Sequence, residues 1–133
     1  GAYDKGFYLL PTLVADVDPQ SRMIKEEVFG PALPIVRVKD LEEVIQQANS
    51  SIFGLGSSVW TRDINKAMLA AEQIEAGYTW INSAQIIYDE LPFGGVKQSG
   101  LGKEHGDEAI EHYTDSKSVV IATDVGSEIV GGE

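Results

Sequence analysis

The alternation of apolar, β-prone runs with amphipathic helical stretches between Leu33 and Ile81 constrains this chain most. Leu33 to Val38 reads as a strand entered past Pro34. Asp40 then opens a helix: an Asp cap with Glu43 three residues on fits a capping box. Leu41, Val44, Ile45, Ala48 and Ile52 follow at helical spacing, opposite Glu42, Glu43, Gln46, Gln47 and Asn49. The pattern stops near Phe53-Gly54, and Leu55 to Trp60 is a strand of small residues. Asp63 opens a second helix with Ile64, Ala67, Met68, Ala71 and Ile74 on one face and Gly77 just past its end. Tyr78 to Ile81, aromatic and β-branched, is a third strand. Strand, helix, strand, helix, strand predicts an α/β fold: a parallel βαβαβ sheet covered by helices.

The flanks are less regular. Gly6 to Val17 is apolar and extended but broken by Pro11, which suits an edge strand or two short strands. Asp18-Pro19 turns the chain, and Ser21 is placed to cap a helical turn over Met23 to Glu27. Beyond the third strand, Glu104 to Tyr113 has a helical apolar side of Ala109, Ile110 and Tyr113. Lys117 to Ala122 is a short apolar strand with no neighbouring hairpin partner, so it must pair elsewhere in the fold or with another chain. An acidic, glycine-containing tail follows, from Thr123 to Glu133. No repeat, linker or charge block divides the chain.

Between the third strand and that helix lies Leu91-Pro-Phe-Gly-Gly-Val-Lys-Gln-Ser-Gly-Leu-Gly-Lys-Glu-His-Gly106. It carries five of the chain's 14 glycines. Glycine loses more backbone freedom on folding than any other residue, so such a cluster implies positive φ or close backbone approach. Leu91, Pro92, Phe93 and Leu101 argue against a floppy polar linker. Ligands of open α/β sheets sit beyond the carboxyl ends of the strands, where this loop begins. The ligand is not a phosphate held by Gly100 and Gly102. A dinucleotide fingerprint needs an apolar strand before its first glycine, whereas Lys97-Gln98-Ser99 stand there. A Walker A loop fails because position 97 is Lys and Glu104 occupies the Ser/Thr place.

Composition narrows the chemistry. At 133 residues, 43% hydrophobic and 23% charged, the chain is one globular domain's worth. Its formal charge of −11 disfavours nucleic acid and anionic membranes as partners. There is no cysteine, which excludes disulfides and thiolate chemistry from this chain itself. His105 and His112 lie seven apart, near two turns on one helix, without the spacing of a metal pair. Two surface or structural histidines are the expectation. Glu26 and Glu27 read either as a catalytic carboxylate with its neighbour or as a helix end facing water. Phe29 and Phe93 read either as core anchors or as ligand walls. With no signal peptide or membrane span, a cytoplasmic protein is expected.

Three segments together, Lys25-Glu-Glu-Val-Phe-Gly-Pro31, Tyr78-Thr-Trp-Ile-Asn82 and the loop from Leu91 to Gly106, resemble the C-terminal part of the NAD(P)-dependent aldehyde dehydrogenases. Pro11-Thr12, Phe53-Gly54-Leu55 and Thr61-Arg62-Asp63 fall in register with them. The resemblance implies that residues 1–113 are the C-terminal portion of the catalytic domain, 114–122 a strand that extends a partner subunit's sheet in a homo-oligomer, and 123–133 an acidic tail. It implies NAD or NADP as cofactor of the complete enzyme, with weak or no binding by this chain alone, and an aldehyde as substrate. Glu27 would accept hydrogen bonds from the nicotinamide ribose, Phe29 would pack beside the nicotinamide, and Phe93 would form the aromatic wall of the aldehyde pocket. Glu104 matches a buried acid behind the active site, able to join a proton relay. The family's chemistry is attack by a Cys thiolate, hydride transfer and hydrolysis of a thioester. A chain without cysteine would be an inactive C-terminal fragment of such an enzyme, lacking the nucleophile. A non-catalytic binding or oligomerisation module derived from the fold is the alternative. Lys103 stands where Arg is common, and Tyr78 is bulkier than usual after Gly77.

Overall fold

The computed structural model describes residues 3–123. Strand β1 (Thr12–Ala15) leads through the short helix α1 (Arg22–Lys25) to β2 (Ala32–Ile35), which pairs parallel to β1 with Thr12 opposite Ala32 and Ala15 opposite Ile35. Helix α2 (Leu41–Asn49) follows, then β3 (Phe53–Gly54) and β4 (Gly56–Val59). Helix α3 (Ile64–Gln73) carries the chain to β5 (Tyr78–Ile81), which pairs parallel to β4 from Gly56–Tyr78 to Val59–Ile81. The glycine-rich loop contributes β6 (Val96–Lys97), antiparallel to β3, and α4 (Glu108–Glu111) comes last.

The α/β class and its parallel pairing are therefore present, in two βαβ units. The single continuous sheet is not: the described strands form three two-stranded ladders. The strand expected over Leu55 to Trp60 is confined to β4, which pairs with β5, and Phe53–Gly54, expected only as the helix stop, forms β3 before a bend at Leu55 and turns to the glycine-rich loop. β2 pairs with β1 and not with the later strands, and it ends at Ile35 rather than Val38.

Both long helices start where their aspartates place them. Asp40 accepts a hydrogen bond from the Glu43 amide at 2.9 Å, while Glu43 accepts from the Lys39 amide at 2.9 Å, one residue before the usual capping-box partner. Asp63 accepts from the amides of Asn65 and Lys66 at 3.0 and 3.2 Å. At α1 the expected cap is absent: Ser21 sits at the N-cap, but its hydroxyl makes no capping bond and is buried without a partner. The helix ends at Lys25 rather than Glu27 because Glu26 is already extended.

The core between α2, α3 and the β4–β5 ladder is small. Ile45, Ala67 and Ala70 are its buried apolar residues. On α3 the buried stripe runs through the alanines, so Ile64 and Met68, expected on the inner face, are exposed. The helix ends are stapled by polar groups. The Asn49 side chain donates to Gln73 O at 2.7 Å and accepts from the Glu75 amide at 2.8 Å, joining the C-termini of α2 and α3. Lys97 donates to Asn49 O and Ser51 O at 2.8 and 3.1 Å and pairs with Glu75 at 2.6 Å. A cation on the last carbonyls of α2 also meets the negative end of its dipole.

One further expectation is corrected. The helix predicted over Glu104 to Tyr113 is confined to Glu108–Glu111, because His105 and Gly106 have φ of 60° and 63°, outside the right-handed helical region. The two histidines thus do not share a helix: His105 precedes α4 and His112 caps its end. Lys117 to Ala122 joins no ladder, and Val119, Val120 and Ile121 are exposed. Of the expected tail, 124–133 lies outside the described residues.

Many large apolar side chains are exposed among the described residues, including Phe7, Leu10, Phe29 and Leu101.

Candidate functional site

The glycine-rich loop is ordered by three sets of hydrogen bonds. The Gln98 amide donates to Ile52 O at 3.0 Å, and Ser99 Oγ accepts from the Gly54 amide at 2.9 Å, tying the loop to β3. The amides and carbonyls of Phe93 and Glu104 exchange bonds of 2.6 and 2.7 Å, closing the loop on itself. The Lys103 ammonium reaches across that closure to Gly94 O and Gly95 O at 3.1 and 3.3 Å. Both reasons expected for glycine are realised. Gly102 has φ +78° with the His112 ring beside it, and Gly94 is packed against the Gly102 carbonyl, where a Cβ would lie 2.5 Å away.

Phe93, at the start of this loop, is half-buried and meets Tyr78 edge-on at 5.6 Å between ring centroids. Tyr78 in turn contacts Trp80 at 4.7 Å. The Trp80 indole donates to Ile86 O at 2.6 Å, holding the connection after β5. At the end of β5, Asn82 exchanges two side-chain bonds of 2.9 Å with the Thr61 backbone. The bulk of Tyr78 therefore has a structural use as the middle ring of an aromatic row that supports Phe93.

Phe93 and Glu104 line a cleft of about 580 Å³ with Lys103 and His112. A backbone bridge sets Glu104 beside Phe93, and Glu104 is exposed among the described residues where a buried acid is expected. Glu27 lies in a second cleft of about 490 Å³, walled by Gly54, Gly56 and Ile74. Leu55 and Ser99 border both clefts, so the expected cofactor-side and substrate-side residues are on neighbouring concavities. Phe29 is 95% exposed, so it is not a core anchor among the described residues.

The two adjacent glutamates differ in their surroundings. Arg22 donates to both carboxylate oxygens of Glu26 at 2.7 and 2.8 Å. This bidentate contact holds the Glu26 carboxyl below its ordinary value and raises the Arg22 guanidinium above its own. The pair is solvated and contributes little stability. Among the described residues the Glu27 carboxylate has no hydrogen bond or ion pair, so its acceptor capacity remains open. No group of three or more metal-ligating side chains occurs among the described residues. His105 instead faces Asp89 at 3.0 Å, and His112 Nε2 accepts from the Lys103 amide at 3.2 Å. No described helix is long and apolar enough to cross a membrane.

Sequence reasoning missed the Tyr78–Trp80 support of Phe93 and the reach of Lys103 across the loop. The signal for the latter is a lone cation after Gly100-Leu-Gly102 in a loop rich in unpaired carbonyls.

The α/β scaffold with its glycine-rich loop after a parallel strand and its row of aromatic rings has counterparts among known proteins. The chain belongs to the aldehyde dehydrogenase family, whose family model matches residues 1–119. Phenylacetaldehyde dehydrogenase of Pseudomonas fluorescens is 44% identical over 119 residues, which are 89% of this chain and 24% of that protein. Retinaldehyde dehydrogenase 3 of Rattus norvegicus is 44% identical over 121 residues, 91% of this chain and 24% of its own length. Among solved structures, the NAD+ complex of aldehyde dehydrogenase from Bacillus cereus superposes with a TM-score of 0.86 at 40% identity, covering 92% of this chain and 25% of that one. PnpE from Pseudomonas sp. WBC-3 gives 0.81 at 46% identity, over 86% and 23%. The chain thus spans about a quarter of the length of the relatives it matches.

Proposed function

We propose that this chain is a C-terminal part of an NAD(P)-dependent aldehyde dehydrogenase and supplies one wall of its cofactor and substrate cleft. The observation that carries the reading is the open Glu27 carboxylate and the fully presented Phe29 ring, beside the cleft that adjoins Phe93. Their chemistry fits a nicotinamide nucleotide: a free carboxylate accepts from two vicinal ribose hydroxyls, and an exposed ring offers an apolar face to a planar heterocycle. The cofactor, when bound, accepts the hydride of the aldehyde. In this chain Glu27 holds the ribose, Phe29 limits the tilt of the nicotinamide and Phe93 excludes water from the substrate side. Glu104, exposed here, becomes a relay acid once a neighbouring surface covers it. The sequence contains no cysteine, so the thiolate that forms the thioester comes from outside these 133 residues. Residues 114–122, unpaired within the chain, extend the sheet of a partner in a homo-oligomer.

The exposed apolar side chains also suit the runner-up, a non-catalytic module that assembles through the same strand. NADH formation from NAD+ with aliphatic and aromatic aldehydes separates the two. The 133-residue chain alone yields none. A polypeptide carrying these residues together with a nucleophilic cysteine yields NADH, and Glu27→Ala there raises the KM for NAD+ about tenfold, the loss of hydrogen bonds to a charged acceptor. Turnover by the isolated chain, or an unchanged KM, would refute the assignment.

A further inference from the structure

We propose that Lys103 is a positioning residue that sets the place of Phe93. The proposal rests on the reading of Phe93 as a substrate wall. The Lys103 ammonium is half-buried and donates to two successive carbonyls, Gly94 O and Gly95 O, at 3.1 and 3.3 Å. Among the described residues no carboxylate pairs with it. A half-enclosed cation without a counter-ion is tolerated only where oriented dipoles replace its hydration, and the two glycine carbonyls are those dipoles. Its own amide is fixed by His112 Nε2 at 3.2 Å, so the side chain departs from a tethered base.

The consequence falls on Phe93. Gly94 and Gly95 lack side chains, and nothing of their own resists rotation of the two peptide planes that follow Phe93. The backbone bridge between Phe93 and Glu104 fixes one side of this segment. Lys103 fixes the carbonyls on the other. Together they present the Phe93 ring edge-on to Tyr78. A flexible turn that must hold an aromatic wall thereby becomes a stiff one. Arginine at this position has two parallel N–H groups that match two adjacent carbonyls, so it preserves the function, whereas an apolar side chain of equal length does not.

The test compares wild type, Lys103→Met and Lys103→Arg in the full chain, in the assembly in which it is purified. Hydrogen exchange is followed at the Phe93 and Glu104 amides, with Ile45 and Ala67 in the helices as controls. In Lys103→Met the loop amides exchange at least about tenfold faster while the helix amides are unchanged, and Lys103→Arg restores the wild-type rates. Equal exchange in all three proteins, or faster exchange at every site, overturns the proposal. In an active enzyme carrying these residues, Lys103→Met lowers kcat/KM for the aldehyde about 10- to 100-fold, as expected for a wall misplaced by about an ångström. There the KM for NAD+ stays within about twofold, since the nucleotide cleft is untouched. Unaltered aldehyde kinetics in that enzyme also overturn it. A wild-type enzyme without aldehyde oxidation refutes the functional assignment instead, and the exchange rates still decide whether Lys103 fixes the loop.

Discussion

Gly77→Ala isolates the packing on which the glycine-rich loop depends. Gly77 was expected just past the end of α3 as a capping glycine, yet the helix ends at Gln73 and Gly77 does not have positive φ. Its reason is a neighbour distant in sequence. A Cβ there would lie 1.8 Å from Gly94 O, 2.8 Å from Gly94 C and 3.0 Å from Lys103 Nζ. To reach even the tightest contact found for a real Cβ, the Gly94 carbonyl must retreat about 1.2 Å. It has nowhere to go, because Gly94 is backed by the Gly102 carbonyl and by Lys103. Overpacking of this kind costs about 1–3 kcal/mol, and displacing a carbonyl from a cationic donor adds about 1.5 kcal/mol or more. The sum, about 3–4 kcal/mol, lowers the melting temperature by about 10 °C in a chain of this size. Thermal unfolding followed by circular dichroism measures it against Gly30→Ala, where the nearest atom to the added Cβ is 3.9 Å away. That control shifts by about 1 kcal/mol or less, in the stabilising direction if at all. A Gly77→Ala melting temperature within about 2 °C of wild type would refute the reasoning, since it would mean the loop yields at almost no cost.

Two smaller perturbations probe local chemistry. Asp63→Ala removes the acceptor for the Asn65 and Lys66 amides and should destabilise the chain by about 1 kcal/mol, whereas Asp63→Ser should restore most of it; urea unfolding midpoints give the comparison. Glu26 titrates below the ordinary carboxylate range because of Arg22, so the contact is intact above the unfolded carboxyl value and is lost as pH falls through the folded one. Carbon-13 titration of the Glu26 carboxyl in Arg22→Gln should show its midpoint rise, and an unchanged midpoint would remove Arg22 as the cause.

What could be read from the sequence follows the range of the forces involved. Asp40 and Asp63 were legible as helix starts because a cap acts within three residues. The parallel unit around α3 followed from the alternation of periods, whereas the one expected across α2 did not form, because β2 pairs with β1 across α1. The division into three ladders did not follow, since β3 and β6 are two residues each and meet only through the loop. Ile64 and Met68 were assigned inward by periodicity, but the alanine stripe sets how closely α3 approaches the sheet. Glu27, Phe29, Phe93 and Glu104 were named from motif resemblance. The placing of Glu27 in one cleft and of Phe93 and Glu104 in the adjoining one, and the exposure of Phe29 and Glu104, are properties of packing. Lys103 attracted notice only as an unusual residue type, because its partners are carbonyls, which every sequence position supplies alike.

The separation of the β1–β2 ladder from the other two has a thermodynamic meaning. Among the described residues no ladder hydrogen bond couples it to the strands that flank the Phe93 loop, and Glu27 and Phe29 ride on the connection leading into β2. On the function proposed above, the spacing between Glu27 and Phe29 and the aromatic row is a joint property of this chain and the surface that completes the cleft. The entropy of fixing that spacing would then be lost at assembly rather than at folding. Affinity for the neighbouring surface and the geometry of the cleft are drawn from one free energy, so a substitution that weakens docking will also blur the alignment of the site, even when it touches neither.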